Sequence, residues 1–281
     1  MQLGRYTVSA IECGELSLDG GAMFGVVPKT LWQKTNPADE QNRIKMAMRA
    51  MLIQGDGKNI IVDCGAGNKL SEKLKGIYDL DFSEYSLESS VSRSGLKFED
   101  ITDVVLTHLH FDHTGGATVT DDNGGVKATF PNATYYIHQV QWDTAFNPSL
   151  RDKASYFKEN YEILMKDDRL NLLEGEGELF PEIETIVVNG HTPGMILLKI
   201  KSGERTMLYS ADLFPTSSHV PIPYIMAYDL EPLESMKEKE RVLEQAVKED
   251  WILFYEHDPY KVATGVTCDE KGYRASEELS L

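Results

Sequence analysis

The sequence has few cysteines, few basic residues and no long apolar run, and each shortage excludes a class of protein. Its 281 residues include three cysteines (Cys13, Cys64 and Cys268), an odd number with no Cys-x-x-Cys spacing. This count argues against a disulfide framework and is typical of reduced thiols in a reducing compartment. The apolar runs, such as residues 60–62, are far shorter than the roughly 20 residues that span a bilayer.

Basic residues are outnumbered by acidic ones, 28 to 45, which gives a formal net charge of −17 at pH 7. Such a surface repels nucleic-acid phosphates and anionic membranes, so neither is expected as a partner. The N-terminal residues lack the charged and apolar regions of a secretory signal, and we therefore expect a cytoplasmic protein. A small molecule is the expected partner, and a homodimer stays open.

Short strand patterns recur along the chain and alternate with helical segments. Helices are predicted at 69–75, 87–94 and 154–165, and a longer amphipathic helix begins at Pro232. An Asp56-Gly57 hairpin turn separates two of the strands. Residues 1–281 are expected to form one α/β domain, in which residues 15–45 are a loop region near the active site. The predicted strands are 6–13, 47–54, 59–64, 103–107, 133–138, 183–188, 195–201, 206–210 and 251–255.

The residues with metal-binding chemistry are concentrated at 107–113, which read Thr-His-Leu-His-Phe-Asp-His and contain three of the seven histidines. Side chains two positions apart in extended backbone face the same way, so His108 and His110 can point into one site. Imidazole and carboxylate groups are ligands of Zn, Mn or Fe(II). The sequence therefore predicts a metal site just after strand 103–107.

Three further candidate ligands follow later strands. His191, Asp212 and His257 each lie just beyond the C-terminal end of a predicted strand. Strand ends can deliver such side chains to one edge of a sheet. We therefore expect them to join the earlier cluster.

The order His-x-His-x-Asp-His, followed by a later His, Asp and His, resembles the signature of the metallo-β-lactamase fold superfamily. The resemblance extends over nearly the whole chain and implies an α/β fold of the four-layer αββα type, with two packed sheets and helices outside. It implies two bound divalent metal ions, for which zinc is the first candidate and manganese or iron are the alternatives. The implied ligands are His108, His110 and His191 for one ion, Asp112, His113 and His257 for the other, and Asp212 bridging both.

The chemistry expected of such a centre is hydrolysis of an ester-like bond. Zinc lowers the pKa of a bound water from about 16 to about 7, so a hydroxide that bridges the two ions can attack. Asp112 is predicted to be catalytic as well, because a carboxylate within reach can accept a proton. Asp63 is expected either to hydrogen-bond groups that orient the ligands or to serve in a turn.

Within the superfamily, the chain resembles acyl-homoserine-lactone lactonases and organophosphatases similar to methyl parathion hydrolase, through segments 21–28 and 221–229. Many lactonases place a Tyr, which contacts the substrate carbonyl, three residues after the bridging Asp. This chain has Pro215 there, which leaves His219, Tyr224 or Tyr228 as substitutes. The predicted apolar wall of the substrate site consists of Met23, Phe24 and Trp32.

The leading hypothesis is therefore a dinuclear metal-dependent hydrolase of a small ester, most of all a lactone similar to acyl-homoserine lactones, with a role in quorum quenching. Hydrolysis of organophosphate triesters is an alternative on the same centre. An iron-dependent sulfur dioxygenase is an alternative on the same fold. A scaffold or sensor that has lost catalysis is a fourth hypothesis, which the retention of all seven candidate ligands argues against.

Overall fold

The computed structural model describes residues 1–121 and 123–281, and the first part of the chain builds one large sheet. Its strands pair in the order β1-β2-β3-β4-β5-β8-β9, while β6 and β7 form a separate ribbon. The strands are β1 (Gln2–Leu3), β2 (Tyr6–Asp19), β3 (Arg43–Gly55), β4 (Lys58–Val62), β5 (Asp103–Val105), β6 (Thr118–Thr120), β7 (Val126–Ala128), β8 (Thr134–His138) and β9 (Leu170–Leu173).

The later part of the chain builds a second seven-stranded sheet, in which neighbours in sequence are neighbours in space. All pairs are antiparallel except β13 with β14, which α8 connects as a crossover. The strands are β10 (Gly177–Phe180), β11 (Ile183–Val188), β12 (Met195–Ser202), β13 (Arg205–Tyr209), β14 (Ile252–Phe254), β15 (Ala263–Asp269) and β16 (Gly272–Glu278).

Most helices are short. The helices are α1 (Gly20–Phe24), α2 (Lys29–Trp32), α3 (Glu72–Tyr78), α4 (Leu87–Arg93), α5 (Phe111–Thr114), α6 (Gln139–Phe146), α7 (Glu162–Lys166) and α8 (Pro232–Lys248). Helix α8 starts with Pro at its first position, where the missing N–H costs nothing, and buries Leu243 and Ala246 on one face. No helix in the described ranges is long and apolar enough to cross a bilayer.

Alternating side chains in the strands divide the interior into two cores. Ile60 and Val62 pack in the core between the two sheets, which also contains Leu198 of the second sheet. Ile61 faces the other way, into a core that includes Val91 of α4. Helix α8 covers the second sheet through contacts with β15. This confirms the predicted four-layer αββα sandwich of the metallo-β-lactamase type.

Two predicted segments differ from the structure. Residues 15–45 are not all loop, because β2 continues to Asp19 and β3 begins at Arg43, with Leu16 paired to Met46. The predicted helix at 154–165 is wrong: two 3₁₀ turns precede α7. Tyr156 and Tyr161 are both buried there, and a continuous helix would turn them about 140° apart.

Candidate metal centre

The motif at 107–113 lies at the end of β5, where the chain leaves the sheet. The Thr107 carbonyl accepts a hydrogen bond from the Ile196 N–H at 3.0 Å, which ties the motif to the second sheet. His108 is fully buried, and helix α5 contains Asp112 and His113. The chain therefore reaches the edge of the sheet in an extended conformation and then forms a short helix.

Position 115, just after this motif, is a glycine, and the structure has no room there for a side chain. Its φ is −56°, a conformation that any residue adopts. A Cβ at this position would lie 1.8 Å from the Ala66 carbonyl oxygen. The glycine therefore permits close backbone packing behind the site, rather than a left-handed turn.

A first group of ring nitrogens converges from both sheets. The Nδ1 atom of His110 lies 3.1 Å from His108 Nε2 and 3.1 Å from His191 Nε2. All three histidines are buried. Three imidazole nitrogens at these separations surround a space in which one cation would lie about 2 Å from each.

A second group lies beside the first. His257 Nε2 is 3.3 Å from His113 Nε2 and 3.8 Å from Asp112 Oδ2. These three residues also offer ligand atoms that converge within the reach of one cation. Both groups predicted from the sequence are therefore brought together in space.

Asp212 faces both groups. Its Oδ2 lies 3.2 Å from His191 Nε2, whereas its Oδ1 lies 3.3 Å from His257 Nε2 and 3.6 Å from His113 Nε2. The residue lies in a 3₁₀ turn directly after Ala211, which has a left-handed φ of 42°. This strained backbone aims the two carboxylate oxygens at the two groups.

The outer nitrogens of the histidines are held by hydrogen bonds that set the ring orientation. His191 Nδ1 bonds Asp229 Oδ1 at 2.9 Å, and His257 Nδ1 bonds the Ala47 carbonyl at 2.9 Å. A carbonyl or carboxylate accepts only, so Nδ1 carries the proton and Nε2 presents its lone pair inward. This is the tautomer that a metal ion requires.

A buried chain of hydrogen bonds around Asp63 holds the rings of His108 and His113. Asp63 accepts bonds from the Thr107 N–H at 2.8 Å and the Thr107 hydroxyl at 2.7 Å, and that hydroxyl oxygen lies 3.1 Å from His108 Nδ1. His113 Nδ1 lies 3.1 Å from Asp63 Oδ2 and 2.9 Å from Glu256 Oε2. Asp63 therefore orients the ligand rings, the first of the two roles expected from the sequence.

The donor set fits a pair of divalent cations. Asp212 Oδ1, which faces His113 and His257, is buried and has no hydrogen-bond partner in the described part of the chain. Neutral imidazoles facing each other nitrogen to nitrogen cannot all be satisfied by mutual hydrogen bonds. A cation placed between them would accept these lone pairs at once.

The electrostatics of the pocket favour cation binding. Burial and neighbouring imidazoles lower the pKa of His108 and His110, which keeps both rings neutral. Burial opposes protonation of His257, but Asp212 and Glu256 raise its pKa to about 9. The same carboxylates would attract a metal ion in place of that proton, since ligands must be deprotonated to bind.

A cavity of about 190 Å³ opens over these two groups. Its floor includes His110, Asp112, His191, Asp212 and His257. Its wall is mostly apolar. The other lining residues are Leu18, Met23, Met46, Tyr78, Phe111, Arg151, Asp152, Ser155, Met226, Ala227 and Tyr228.

Only Met23 and Tyr228 of the six predicted substrate residues line this cavity. Phe24 is buried behind it and stacks on Trp32 and on His219, with ring centroids 5.4 and 4.5 Å apart. Tyr224 lies edge-on to Phe24, at 6.1 Å. The structure thus places these four side chains in a supporting aromatic cluster, because α1 turns Phe24 inward.

His219 is buried in that cluster. It lies 2.8 Å from the Met23 carbonyl through Nε2 and 2.8 Å from the Thr216 hydroxyl through Nδ1. Pro215 serves the site through its backbone, since its carbonyl accepts a bond from the His257 N–H at 3.0 Å. His138, the other histidine outside the site, bonds the Val140 N–H at the start of α6.

Sequence reasoning missed several residues of the site. Asp229 and Glu256 touch ligand rings, but a single carboxylate has no diagnostic spacing. Glu256 is adjacent to His257, and this proximity was the one available signal. Arg151 and Asp152 lie in a segment whose sequence contains no motif that points to a function.

The fold and this donor set define a metal-dependent hydrolase. Residues 49–257 match the model of the family described as the metallo-beta-lactamase superfamily, and the chain belongs to that superfamily. It is 29% identical over 233 residues to an N-acyl homoserine lactonase of Bacillus cereus, covering 77% of this chain and 83% of that protein.

Solved structures show the same architecture. A probable metal-dependent hydrolase from Staphylococcus aureus is 32% identical, covers the whole of both chains and has a TM-score of 0.88. AidC, a dizinc quorum-quenching lactonase in complex with a product, is 22% identical with a TM-score of 0.82, over 100% of this chain and 97% of its own. The second likeness is one of fold alone.

Proposed function

We propose that this hydrolase opens small lactones, N-acyl homoserine lactones before others, with two divalent cations of which zinc is the first candidate. The observation that carries the proposal is the position of Asp212, whose two oxygens face two separate groups of ligand atoms beneath a cavity. The Bacillus cereus relative named as an N-acyl homoserine lactonase supports the substrate class, and the dizinc lactonase AidC supports the cation.

When bound, a pair of such cations supplies the charge that polarises an ester carbonyl and acidifies a water. The chain holds the substrate and moves protons. Asp112 lies on the cavity floor with Oδ2 toward His257, so its carboxylate accepts the proton of the attacking water and returns it to the leaving oxygen. The apolar wall, which includes Met46 and Met226, binds an acyl chain and excludes bulk water.

Tyr228 takes the role that Pro215 leaves open. It is the one predicted substitute whose side chain lines the cavity among the described residues. Partial burial, with the carboxylates of Asp19 and Asp112, raises its pKa to about 12. The hydroxyl therefore stays protonated at neutral pH and can donate a hydrogen bond to a substrate carbonyl.

Lactone hydrolysis followed by pH-stat tests the proposal. Protein loaded with zinc, manganese or iron is given acyl lactones of short and long chain, with Asp212→Ala as the control. We expect metal-dependent turnover that Asp212→Ala lowers together with the metal content. If wild type hydrolyses phosphotriesters but no lactone, or if iron-loaded protein consumes oxygen, the substrate assignment is wrong.

The role of Tyr228 has its own test. Tyr228→Phe removes only the hydroxyl, and we expect kcat to fall about tenfold, the cost of one transition-state hydrogen bond to a neutral donor. Tyr273→Phe, on β16 and away from the cavity, is the matched control. Equal rates in the two variants would remove Tyr228 from the mechanism.

A homodimer and a cytoplasmic location are proposals from the sequence. Sedimentation tests the first, and cell fractionation tests the second.

A further inference from the structure

The segment that follows α6 forms one side of the cavity opposite residues 226–228. Arg151, Asp152 and Ser155 of this segment line the cavity, as does Ala227 across from them. The Arg151 guanidinium donates a hydrogen bond to the Ala227 carbonyl and so joins the two sides. Asp152 therefore occupies a fixed position in the wall, above the floor formed by the candidate ligands.

Asp152 has a carboxylate oxygen that makes no hydrogen bond to any residue the structure describes. The residue is 6% exposed. Its Oδ1 accepts a hydrogen bond from the Ser149 hydroxyl at 2.7 Å. Its Oδ2 is buried and makes no hydrogen bond within residues 1–121 and 123–281, and Arg151 donates to Ala227 rather than to this group. A buried acceptor in this condition is costly, because it has lost water and gained nothing.

A substrate can provide the missing donor. The two groups of candidate ligands lie on the cavity floor, where the ester would react. A donor that reaches Asp152 in the wall therefore belongs to the part of the substrate beside that ester. The surrounding wall is mostly apolar, with Met23, Phe111 and Met226, and an ammonium group would lose more hydration there than a neutral N–H. A secondary amide attached to the ring meets both conditions.

We infer that Asp152 is a specificity residue, whose free oxygen accepts a hydrogen bond from an amide N–H next to the lactone ring. The inference rests on the proposed lactone substrate and makes it narrower. It means that the enzyme selects N-acylated lactones over lactones that have only an alkyl chain at the same position. A hydrogen bond to a charged acceptor accounts for about a ten- to hundredfold preference.

Two ligand pairs test this. The first pair is N-hexanoyl homoserine lactone and a lactone of matched chain length without an N–H. The second pair cannot be hydrolysed and consists of a 2-acylaminocyclopentanone and a 2-alkylcyclopentanone, with affinity for metal-loaded protein measured by calorimetry. We expect wild type to favour the amide member of each pair about ten- to hundredfold. We expect Asp152→Ala to abolish both preferences, with the loss mainly in KM.

Further variants separate recognition from folding. Asp152→Asn keeps the shape and a weaker acceptor, so we expect an intermediate preference. Asp167→Ala, which removes an exposed carboxylate outside the cavity, should keep the full preference. If Asp152→Ala retains the calorimetric preference, the inference is overturned. The wild type could hydrolyse no lactone and still show a calorimetric preference that Asp152→Ala abolishes. In that case the proposed reaction is wrong, while the role of Asp152 stands.

Discussion

Asp229 shows how one residue outside the candidate ligand set can control the site. Its Oδ1 bonds His191 Nδ1 at 2.9 Å, and both side chains are buried. The carboxylate fixes the ring orientation and makes the inward nitrogen more basic. Partners of this kind contribute to metal affinity without touching the metal.

Replacing this carboxylate should therefore weaken metal binding. We expect Asp229→Ala to lower the affinity for zinc about 10- to 100-fold, measured by competition with a chromophoric chelator. Glu240→Gln, on the exposed face of α8, is the control and should bind zinc as wild type does. Unchanged affinity in Asp229→Ala would mean that the His191 ring needs no such partner.

His219 gives a prediction about pH. Burial lowers its pKa to about 4; Lys239 favours the neutral form, while the Met23 carbonyl and the carboxylates of Asp229 and Asp212 oppose the shift. The unfolded chain then binds more protons than the folded one between about pH 6.5 and 4, so stability falls as pH falls through that range. The loss amounts to about 3 kcal/mol at the acid end.

Urea unfolding at several pH values measures this loss. His219→Gln keeps a donor toward the Met23 carbonyl and removes the titrating ring, so its free energy of unfolding should depend less on pH between 6.5 and 4. Parallel pH profiles for wild type and variant would contradict the prediction. Comparing slopes removes the contribution of the other histidines.

The residues of the site were predictable to different extents. His108 and His110 could be paired because a strand places alternate side chains on one side. Asp229 and Asp152 could not, because their roles depend on loops that meet only in the folded chain. Phe24 and Trp32 were expected in the cavity wall, yet a one-turn helix can bury either face and the sequence does not choose between them.

At the scale of secondary-structure elements, Lys239 links α8 to the loop that carries Asp229. The side chain is buried, and its ammonium donates to the carbonyls of His219 at 2.6 Å, Pro221 at 2.9 Å and Tyr224 at 2.9 Å. These carbonyls lie outside the strands and α-helices of the described chain, and that of Pro221 also accepts a bond from the Tyr224 N–H. One side chain therefore does for this loop what a neighbouring strand does elsewhere.

Removing this ammonium should destabilise the protein. We expect Lys239→Met to lower the free energy of unfolding by about 2–4 kcal/mol, because it leaves buried acceptors without donors. Lys237→Met on the exposed face of α8 should change it by no more than about 0.5 kcal/mol. Urea denaturation of both zinc-loaded variants is the measurement, and equal midpoints would contradict the prediction.

The elements themselves were predicted best where period and turn residues agree. The Asp56-Gly57 turn between β3 and β4 is confirmed, with φ values of 49° and 73°. The strand over 6–13 was predicted too short because Gly14, at a register shift, interrupts its alternation while pairing continues to Asp19. The segment at 154–165 failed because tertiary packing of its tyrosines outweighs helix propensity.

At the scale of the whole molecule, the candidate metal centre joins the two sheets. His108, His110, Asp112 and His113 follow β5 of the first sheet, whereas His191, Asp212 and His257 follow strands of the second. Each of the two ligand groups draws members from both. A cation bound there cross-links the two layers of the sandwich as well as serving chemistry.

Metal removal should therefore lower the stability of the whole fold. A ligand at 100 times its Kd stabilises the native state by about 2.7 kcal/mol, which raises the Tm of a protein of this size by several degrees. We expect the Tm to rise with free zinc and to fall when a chelator is added, measured by calorimetry. In His108→Ala the Tm should depend less on the concentration of free zinc. A wild-type Tm that does not change with zinc would rule out the cross-link.

The order of strands along the chain has one more consequence. The last strand of the first sheet ends at Leu173 and the first strand of the second begins at Gly177, so the backbone passes between the layers once, through the exposed Gly175. A gene divided at that point would encode two polypeptides, each with a whole sheet and an incomplete set of candidate ligands. Their reunion would assemble the full set, which makes this scaffold suitable as a two-piece reporter of association.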